Sequence, residues 1–455
     1  MTPLPDQGPL VAWYGDDFTG AASVMEVLEF AGFASVLFIG LPDQALMSRF
    51  SHCRCIGFAG DARTRPPEWM DAHLPAIYAA LRATGAPLVH YKLCSTFDSA
   101  PGTGSIGRAA ELGIGDWAPL VTAAPRIGRW QVFGNLFARH PGGIARLDRH
   151  PTMSVHPVTP MDESDLVRHL ACQTELPAGL VTILDLQSGQ GAAALKRERA
   201  RGARIVSFDL MDSASLIEAG GVIWDEAMKS QLFALGSQGL EDALIAVWHA
   251  AGHRAPPPQQ VAGTGRIAVL SGSCSPDTAR QIEAAAKAGF DLIHIDAALT
   301  IDASRWNEEC TRIERMARAS LDRGVSPLIH SALGPEDPAI AAARAAQHAA
   351  GQSARDAAEA LGRGFGRILG GLYRSGLSRA VIAGGDTSSH ATAELGAVAV
   401  TATAEIAPAV PLLNVHFADP AKPPFELVVK GGQMGPENLF GLIRHGKEAA
   451  TAGHA

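Results

Sequence analysis

Short apolar runs alternate with longer alanine-rich stretches from one end of this chain to the other, and that rhythm constrains the fold more than any other feature. An apolar run followed by a helix-length segment, repeated many times, buries both its faces when parallel strands are covered by helices. Strands are predicted near 10–15 (LVAWYG), 34–39, 55–59, 87–92 (PLVHYK), 118–123, 179–184 and 203–208, then near 266–271 (RIAVLS), 291–295, 327–330, 379–383, 398–403 and 426–430 (ELVVK). At 455 residues the chain exceeds one ordinary core, since domains run to about 100–200 residues. The break in the rhythm is Gly252-His253-Arg254-Ala255, then Pro256, Pro257 and Pro258, then Gly263-Thr264-Gly265. Consecutive prolines neither continue a helix nor pair in a central strand. The expectation is therefore an α/β protein: two parallel-sheet-rich domains, residues 1–252 and 266–446, with a ligand cleft between them, a linker at 253–265 and a tail at 447–455.

Charge and composition remove several function classes. A formal net charge of −8 argues against a nucleic-acid footprint or a polybasic membrane anchor. With 47% apolar and 18% charged residues the chain is not a disordered one. It has no apolar run long enough for a membrane span. The first Lys or Arg is Arg49, so neither a secretory signal nor a transit peptide is expected at the start. Six cysteines, Cys53, Cys55, Cys94, Cys172, Cys274 and Cys310, form no CxxC pair, which suits a reduced cytoplasm and gives no metal site. A homodimer is the expected assembly, as the commonest closed symmetry.

Ligands of parallel sheets meet the carboxyl ends of strands, so the loops there carry the functional signal. The first is Gly15-Asp16-Asp17-Phe18-Thr19-Gly20, where one carboxylate can orient or deprotonate a hydroxyl. The competing reading makes both acids helix-start residues favoured by the macrodipole. Another loop is Lys92-Leu93-Cys94-Ser95-Thr96-Phe97-Asp98-Ser99, which opens on one of only seven lysines. Lys92 offers a point charge for a carboxylate or phosphate, and Ser95 and Thr96 offer hydrogen bonds to a polyol. Asp61-Ala62-Arg63-Thr64-Arg65 adds guanidinium forks. Three glycine- or serine-rich turns follow in the second half: Ser271-Gly272-Ser273-Cys274-Ser275-Pro276, Gly384-Gly385-Asp386-Thr387-Ser388, and Lys430-Gly431-Gly432-Gln433. Glycine admits a phosphate close to the backbone, and a helix start presents free N–H groups to it.

Three further patterns compete with these. Gly441 to Glu448 nearly spells a Walker A loop but lacks its hydroxyl, and Gly102 to Gly107 spells GxGxxG too far from a strand. Gly189-Gln190-Gly191, trailed by Asp209, has dinucleotide-binding character and supports a second reading, an NAD-dependent sugar-acid oxidoreductase. A third reading is a non-catalytic sugar-acid-binding protein.

Taken together, GDDFTGA at 15–21, YKLCSTFDS at 91–99, HPVTPM at 156–161, LSGSCSPDT at 270–278, GGDTSS at 384–389 and VVKGGQMG at 428–435 resemble the four-carbon acid sugar kinase family in order and spacing. The resemblance implies an N-terminal sugar-acid domain, a C-terminal ATP domain, and transfer from ATP with Mg2+ to the terminal hydroxyl of a tetronate or a 3-oxo relative. It implies sugar-acid contacts at Asp16 or Asp17, Arg63, and Lys92, Cys94, Ser95 and Thr96. It implies nucleotide contacts at Ser275, Gly384, Gly385, Asp386, Thr387 and Gly432, to which the glycine- and serine-rich turns themselves add Ser273 and Gly431 as expected contacts. Threonate and erythronate kinases of the family commonly read DSTLRG where this chain reads CSTFDS, so Asp98 stands in place of an arginine. That form is similar to the branch acting on 3-oxo-tetronate and 3-oxo-isoapionate.

Overall fold

The computed structural model describes residues 2–140, 142–156, 158–257 and 259–447. The last eight residues of the expected tail lie outside them. The chain divides into two compact units, Met1–Pro256 and Pro257–Ala455.

In the first unit the strands are β1 (Val11–Gly15), β2 (Ser35–Ile39), β3 (Cys55–Ala59), β4 (Leu88–Lys92), β5 (Ala118–Val121), β6 (Arg129–Val132), β7 (Asn135–His140), β8 (Gly143–Arg146), β9 (Ala178–Val181), β10 (Ile205–Phe208) and β11 (Leu232–Gly236). Eight of these form a parallel sheet in the order β2-β3-β1-β4-β11-β5-β10-β9. The chain winds from β1 toward β2 and β3 on one side and continues with β4 on the other. The β1/β4 boundary is thus a topological switch point, where α/β sheets open a crevice for ligands. Val11 to Gly15 are buried throughout, as a strand covered on both faces requires. Trp13, Trp224 and Trp248 are fully buried, the last two packed edge to face. His90, on β4, bonds Glu241 at 2.7 Å and fixes the helix Gly239–Ala250 to the sheet face that Lys92 also faces.

The second unit contains β12 (Val261–Ala262), β13 (Ala268–Ser271), β14 (Asp291–His294), β15 (Pro327–His330), β16 (Arg379–Ala383), β17 (Ala397–Ala407), β18 (Val410–Phe417), β19 (Phe425–Lys430) and β20 (Gly446–Lys447). Its sheet runs β14-β15-β13-β16-β19-β18-β17, parallel through β19 and antiparallel beyond it. β14 and β15 lie to one side of β13 and β16 to the other, so the switch point falls between β13 and β16. Within the proline-rich stretch, Val261 and Ala262 pair with Lys447 and Gly446, and Val261 joins the apolar core of Ile267, Val269, Leu439 and Ile443.

Several features depart from the sequence reading. β11, β18, the short β12–β20 pair and the β6-β7-β8 meander have no counterpart in it. Leu232–Gly236 is a short, fully buried apolar run, which periodicity does not separate from a helix segment. β9 ends at Val181, because Thr182 and Asp185 form a capping box that opens the helix Ile183–Gln187. The Gly189 turn therefore joins two helices.

Candidate functional site

In the first unit the loops after β1, β3 and β4 are zipped together at the switch point. The Asp16 N–H donates to the Lys92 carbonyl at 3.0 Å, and the Arg63 N–H donates to the Asp16 carbonyl at 3.0 Å. This brings Asp16, Asp17, Arg63 and Lys92 into one cluster. Arg63 Nη2 donates to Asp16 Oδ1 and to Asp17 Oδ1, each at 2.7 Å, and Nε reaches Asp16 Oδ2 at 3.3 Å. Asp17 also caps the helix Phe18–Phe30, accepting from Gly20 N–H at 3.0 Å and from Thr19 Oγ1 at 2.5 Å. Asp17 is thus a helix cap and also a member of the charged cluster. A Cβ placed on Gly20 would lie 2.3 Å from Asp17 Oδ1 and 2.8 Å from Lys92 Nζ, so cation and carboxylate flank the same backbone atom. Lys92 is 2% exposed and donates to the Leu93 carbonyl at 2.6 Å.

Burial raises the Asp16 carboxyl above its ordinary range, although Arg63 opposes the shift. Arg65 spends its fork on Asp61 and lies over the Trp69 ring, leaving Arg63 as the guanidinium at the cluster.

Sequence reasoning left Asp98 out of the site, and the structure brings it in. Thr96 Oγ1 donates to Asp98 Oδ1 at 2.6 Å and lies 3.0 Å from Cys94 Sγ. Burial pushes the Asp98 carboxyl up, but the Arg63 charge and the Cys94 and Thr96 hydrogen bonds outweigh it and hold the group below its ordinary range. The intervening Phe97 is fully buried with φ of 56°, a left-handed conformation rare for a bulky residue. Such strain, of about 1–3 kcal/mol, persists where surrounding structure enforces it. Its consequence is a tight turn that aims Asp98 toward Arg63. The Cys94 thiol is pushed up to about 11 by burial and by Asp98, so it is protonated and serves as a polar contact. Ser95 is half-buried in the same turn.

In the second unit, turns follow the adjacent strands β13, β16 and β19, and the structure brings the three together. Ser275 caps the helix Pro276–Lys287, accepting from Asp277 and Thr278 N–H groups, and donates to the Gly432 carbonyl at 2.7 Å. Gly384, with φ of 129°, precedes the helix Gly385–Glu394, and its N–H donates to the Lys430 carbonyl at 3.0 Å. A Cβ there would lie 2.7 Å from Thr387 Oγ1, and one on Gly432 would lie 2.8 Å from Ser273 Oγ, so side chains are excluded from both turns. Gly385 and Asp386 begin the helix; the Asp386 side chain lies outside what the structure describes. Gly431 stands between Lys430 and Gly432 in the third turn. The helix start at Gly385, which no side chain caps, and two close-approach glycines over neighbouring strands leave backbone room and donors that suit a phosphate.

Residues 11–244 match the family of sugar-binding N-terminal domains, and residues 268–440 match the family of nucleotide-binding C-terminal domains. The chain belongs to the four-carbon acid sugar kinase family. This kinase is 42% identical to a 3-oxo-isoapionate kinase of Paraburkholderia graminis, over 98% of its own length and 96% of the relative's. It is 31% identical to a 3-oxo-tetronate kinase of Methylobacterium radiotolerans, over 94% and 96% of the two chains. Among solved structures it resembles a putative tRNA synthase of Salmonella typhimurium LT2, with a TM-score of 0.75 and 26% identity over 94% and 97% of the chains. Haemophilus influenzae protein HI1011 is similar too, with a TM-score of 0.69 and 25% identity over 95% and 99%.

The kinase uses ATP, and residues 268–440 match a nucleotide-binding domain. The oxidoreductase reading falls on its own residues. The start of the helix Gly191–Ala200 is taken by Glu218, which accepts from the Gly191 N–H at 3.0 Å. Asp209 is fully buried and accepts from the N–H groups of Phe133, Gly134 and Ile183, so it clamps backbone. The non-catalytic reading falls with the kinase relatives. No described helix is long and apolar enough to cross a membrane. Among the described residues no cluster of three His, Cys, Asp or Glu is arranged to hold a metal.

Proposed function

We propose that this kinase phosphorylates the terminal hydroxyl of a branched 3-oxo sugar acid of the 3-oxo-isoapionate class, with 3-oxo-tetronate as the nearest alternative. The observation that carries the reading is the Asp16–Asp17–Arg63 cluster beside Lys92, with Asp98 turned toward the same guanidinium. The 42% identity to a kinase of that name supports the choice of the branched acid.

Lys92 holds the substrate carboxylate as a point charge, and Arg63 locks both acids while lending its field. Cys94, Ser95 and Thr96 face the polyol. Asp16, the carboxylate made more basic by burial, takes the hydroxyl proton as the substrate oxygen bonds the γ-phosphorus and the bridge to the β-phosphate breaks. Asp17 keeps the loop in place. Ser273, Ser275, Gly384, Gly385, Asp386, Thr387, Gly431 and Gly432 form the nucleotide turns. ATP would supply the phosphoryl group, and Mg2+ bound with it would neutralise charge on the transferring phosphates. The proposal retains residues 1–252 as the sugar-acid part and 266–446 as the nucleotide part, a cytoplasmic location that suits six free cysteines, and a homodimer testable by light scattering.

Incubation with ATP, Mg2+ and a panel of 3-oxo-isoapionate, 3-oxo-tetronate and plain tetronates, with ADP release as the readout, tests the substrate. The branched 3-oxo acid should give the highest kcat/KM. ADP release with plain tetronates alone would overturn the assignment.

A further inference from the structure

Lys430 ends β19 with its side chain fully buried. Its ammonium donates to Thr278 Oγ1 at 2.9 Å and to the Gly432 carbonyl at 3.4 Å. Thr278 Oγ1 in turn donates to the same carbonyl at 2.8 Å, and Ser275 Oγ joins at 2.7 Å. Three donors thus converge on one backbone oxygen, and every partner of the ammonium is neutral. Asp277, the acid on the adjoining helix, is paired with Arg280. Burial without a carboxylate partner pulls the Lys430 ammonium down to about 8, with Asp277 opposing weakly. Buried cations are ordinarily matched by an anion.

A peptide unit is planar and trans, so its C=O and N–H point in opposite directions. With the Gly432 carbonyl drawn inward onto Ser275, Thr278 and Lys430, the Gln433 N–H of that unit is turned outward. The turn then presents a donor on its open side, backed by a positive charge beneath.

We propose that Lys430 is the positioning residue of the nucleotide site: it fixes the Gly432 peptide so that Gln433 N–H meets a phosphate, and the phosphate supplies the countercharge that the protein does not. This rests on the reading of the second unit's turns as the phosphate cradle. The role differs from that of Lys92, which contacts its ligand directly, because Lys430 acts through the Gly432 peptide and the Thr278 hydroxyl.

Lys430→Met keeps the length of the stem and removes the charge, and Thr278→Val removes the relay and leaves the charge. Calorimetry with ADP and ligand-observed NMR with adenosine separate a phosphate effect from a general one, after circular dichroism and a melting curve on each variant. Lys430→Met should bind ADP about 10- to 100-fold more weakly, the scale of a charge-assisted hydrogen bond. Adenosine and sugar-acid affinity should hold. Thr278→Val should show the same pattern with a loss of about fivefold, the scale of one neutral hydrogen bond, and it carries the test if Lys430→Met does not fold. Undiminished ADP binding, or equal losses for ADP and adenosine in a folded variant, overturns the proposal. Wild-type protein that binds no ADP would instead overturn the cradle beneath it.

Discussion

At the strand ends of the first unit, Asp16 and Asp17 bond Arg63, Asp98 lies within the field of the same guanidinium, and Lys92 stands alongside. At those of the second unit, Ser273, Ser275, Thr278 and Thr387 stand among glycines over a single buried lysine. Both groups sit where strand order reverses, so topology does not explain the contrast. Ligand charge does. A sugar acid carries one carboxylate and several hydroxyls, and a site for it must supply acceptors as well as a cation while keeping its own charges balanced. A polyphosphate carries several negative charges, which backbone N–H groups and one ammonium without a paired carboxylate can answer, the adjoining Asp277 being matched by Arg280.

The sharpest way to break this comparison is at the carboxylates. Asp16→Asn should lower turnover by about 100-fold or more, the scale of general-base loss, with ADP affinity unchanged by calorimetry. Asp17→Asn keeps the helix cap, because Asn is as good an N-cap as Asp, and its turnover should fall less than that of Asp16→Asn. A reversed order would move the base to Asp17.

In the second unit, Gly384→Ala forces a side chain into φ of 129° against Thr387. Backbone strain of about 1–3 kcal/mol is expected, seen as a lower melting temperature together with weaker ADP binding. Sugar-acid affinity should be untouched; a variant that binds ADP normally would remove this turn from the cradle. Lys92→Met should do the converse, raising the sugar-acid KM about tenfold, the scale of one hydrogen bond to a charged group. ADP binding should not change, and a loss of ADP affinity instead would erase the division between the two regions.

The smallest effect is on stability. Lys430 has its folded value lowered to about 8, against about 10.4 for a free lysine. Between those values the unfolded chain holds more protons than the folded one, so this group makes stability rise with pH through that window. Urea midpoints from pH 7.5 to 10 should show that rise in wild-type protein and lose its Lys430 share in Lys430→Met. An identical slope in both proteins would show that the ammonium is hydrated.

Much of the site was legible because its parts are local. Asp16 and Asp17 adjoin β1, Lys92 ends β4, the turns after β13 and β16 each lead straight into a helix, and the Lys430 turn follows β19, with its next helix beginning only at Leu439, so strand periodicity and turn chemistry locate these loops. Asp98 was harder, since its approach to Arg63 depends on the left-handed turn at Phe97, which no propensity favours. Gly189 misled for a related reason: a capping box at Thr182 ended β9 early and turned a strand-to-helix signature into a link between helices.

By itself the sequence determined the α/β class, the break at the prolines, and which loops carry polar and glycine-rich chemistry, because burial periodicity and backbone freedom are properties of neighbouring residues. Tertiary structure alone decided that one guanidinium would bind two adjacent acids, that Asp209 would clamp backbone, and that Lys430 would lie buried against Thr278 and the Gly432 carbonyl. Those outcomes depend on which strands become neighbours, and strand order is fixed by packing between segments far apart in the chain.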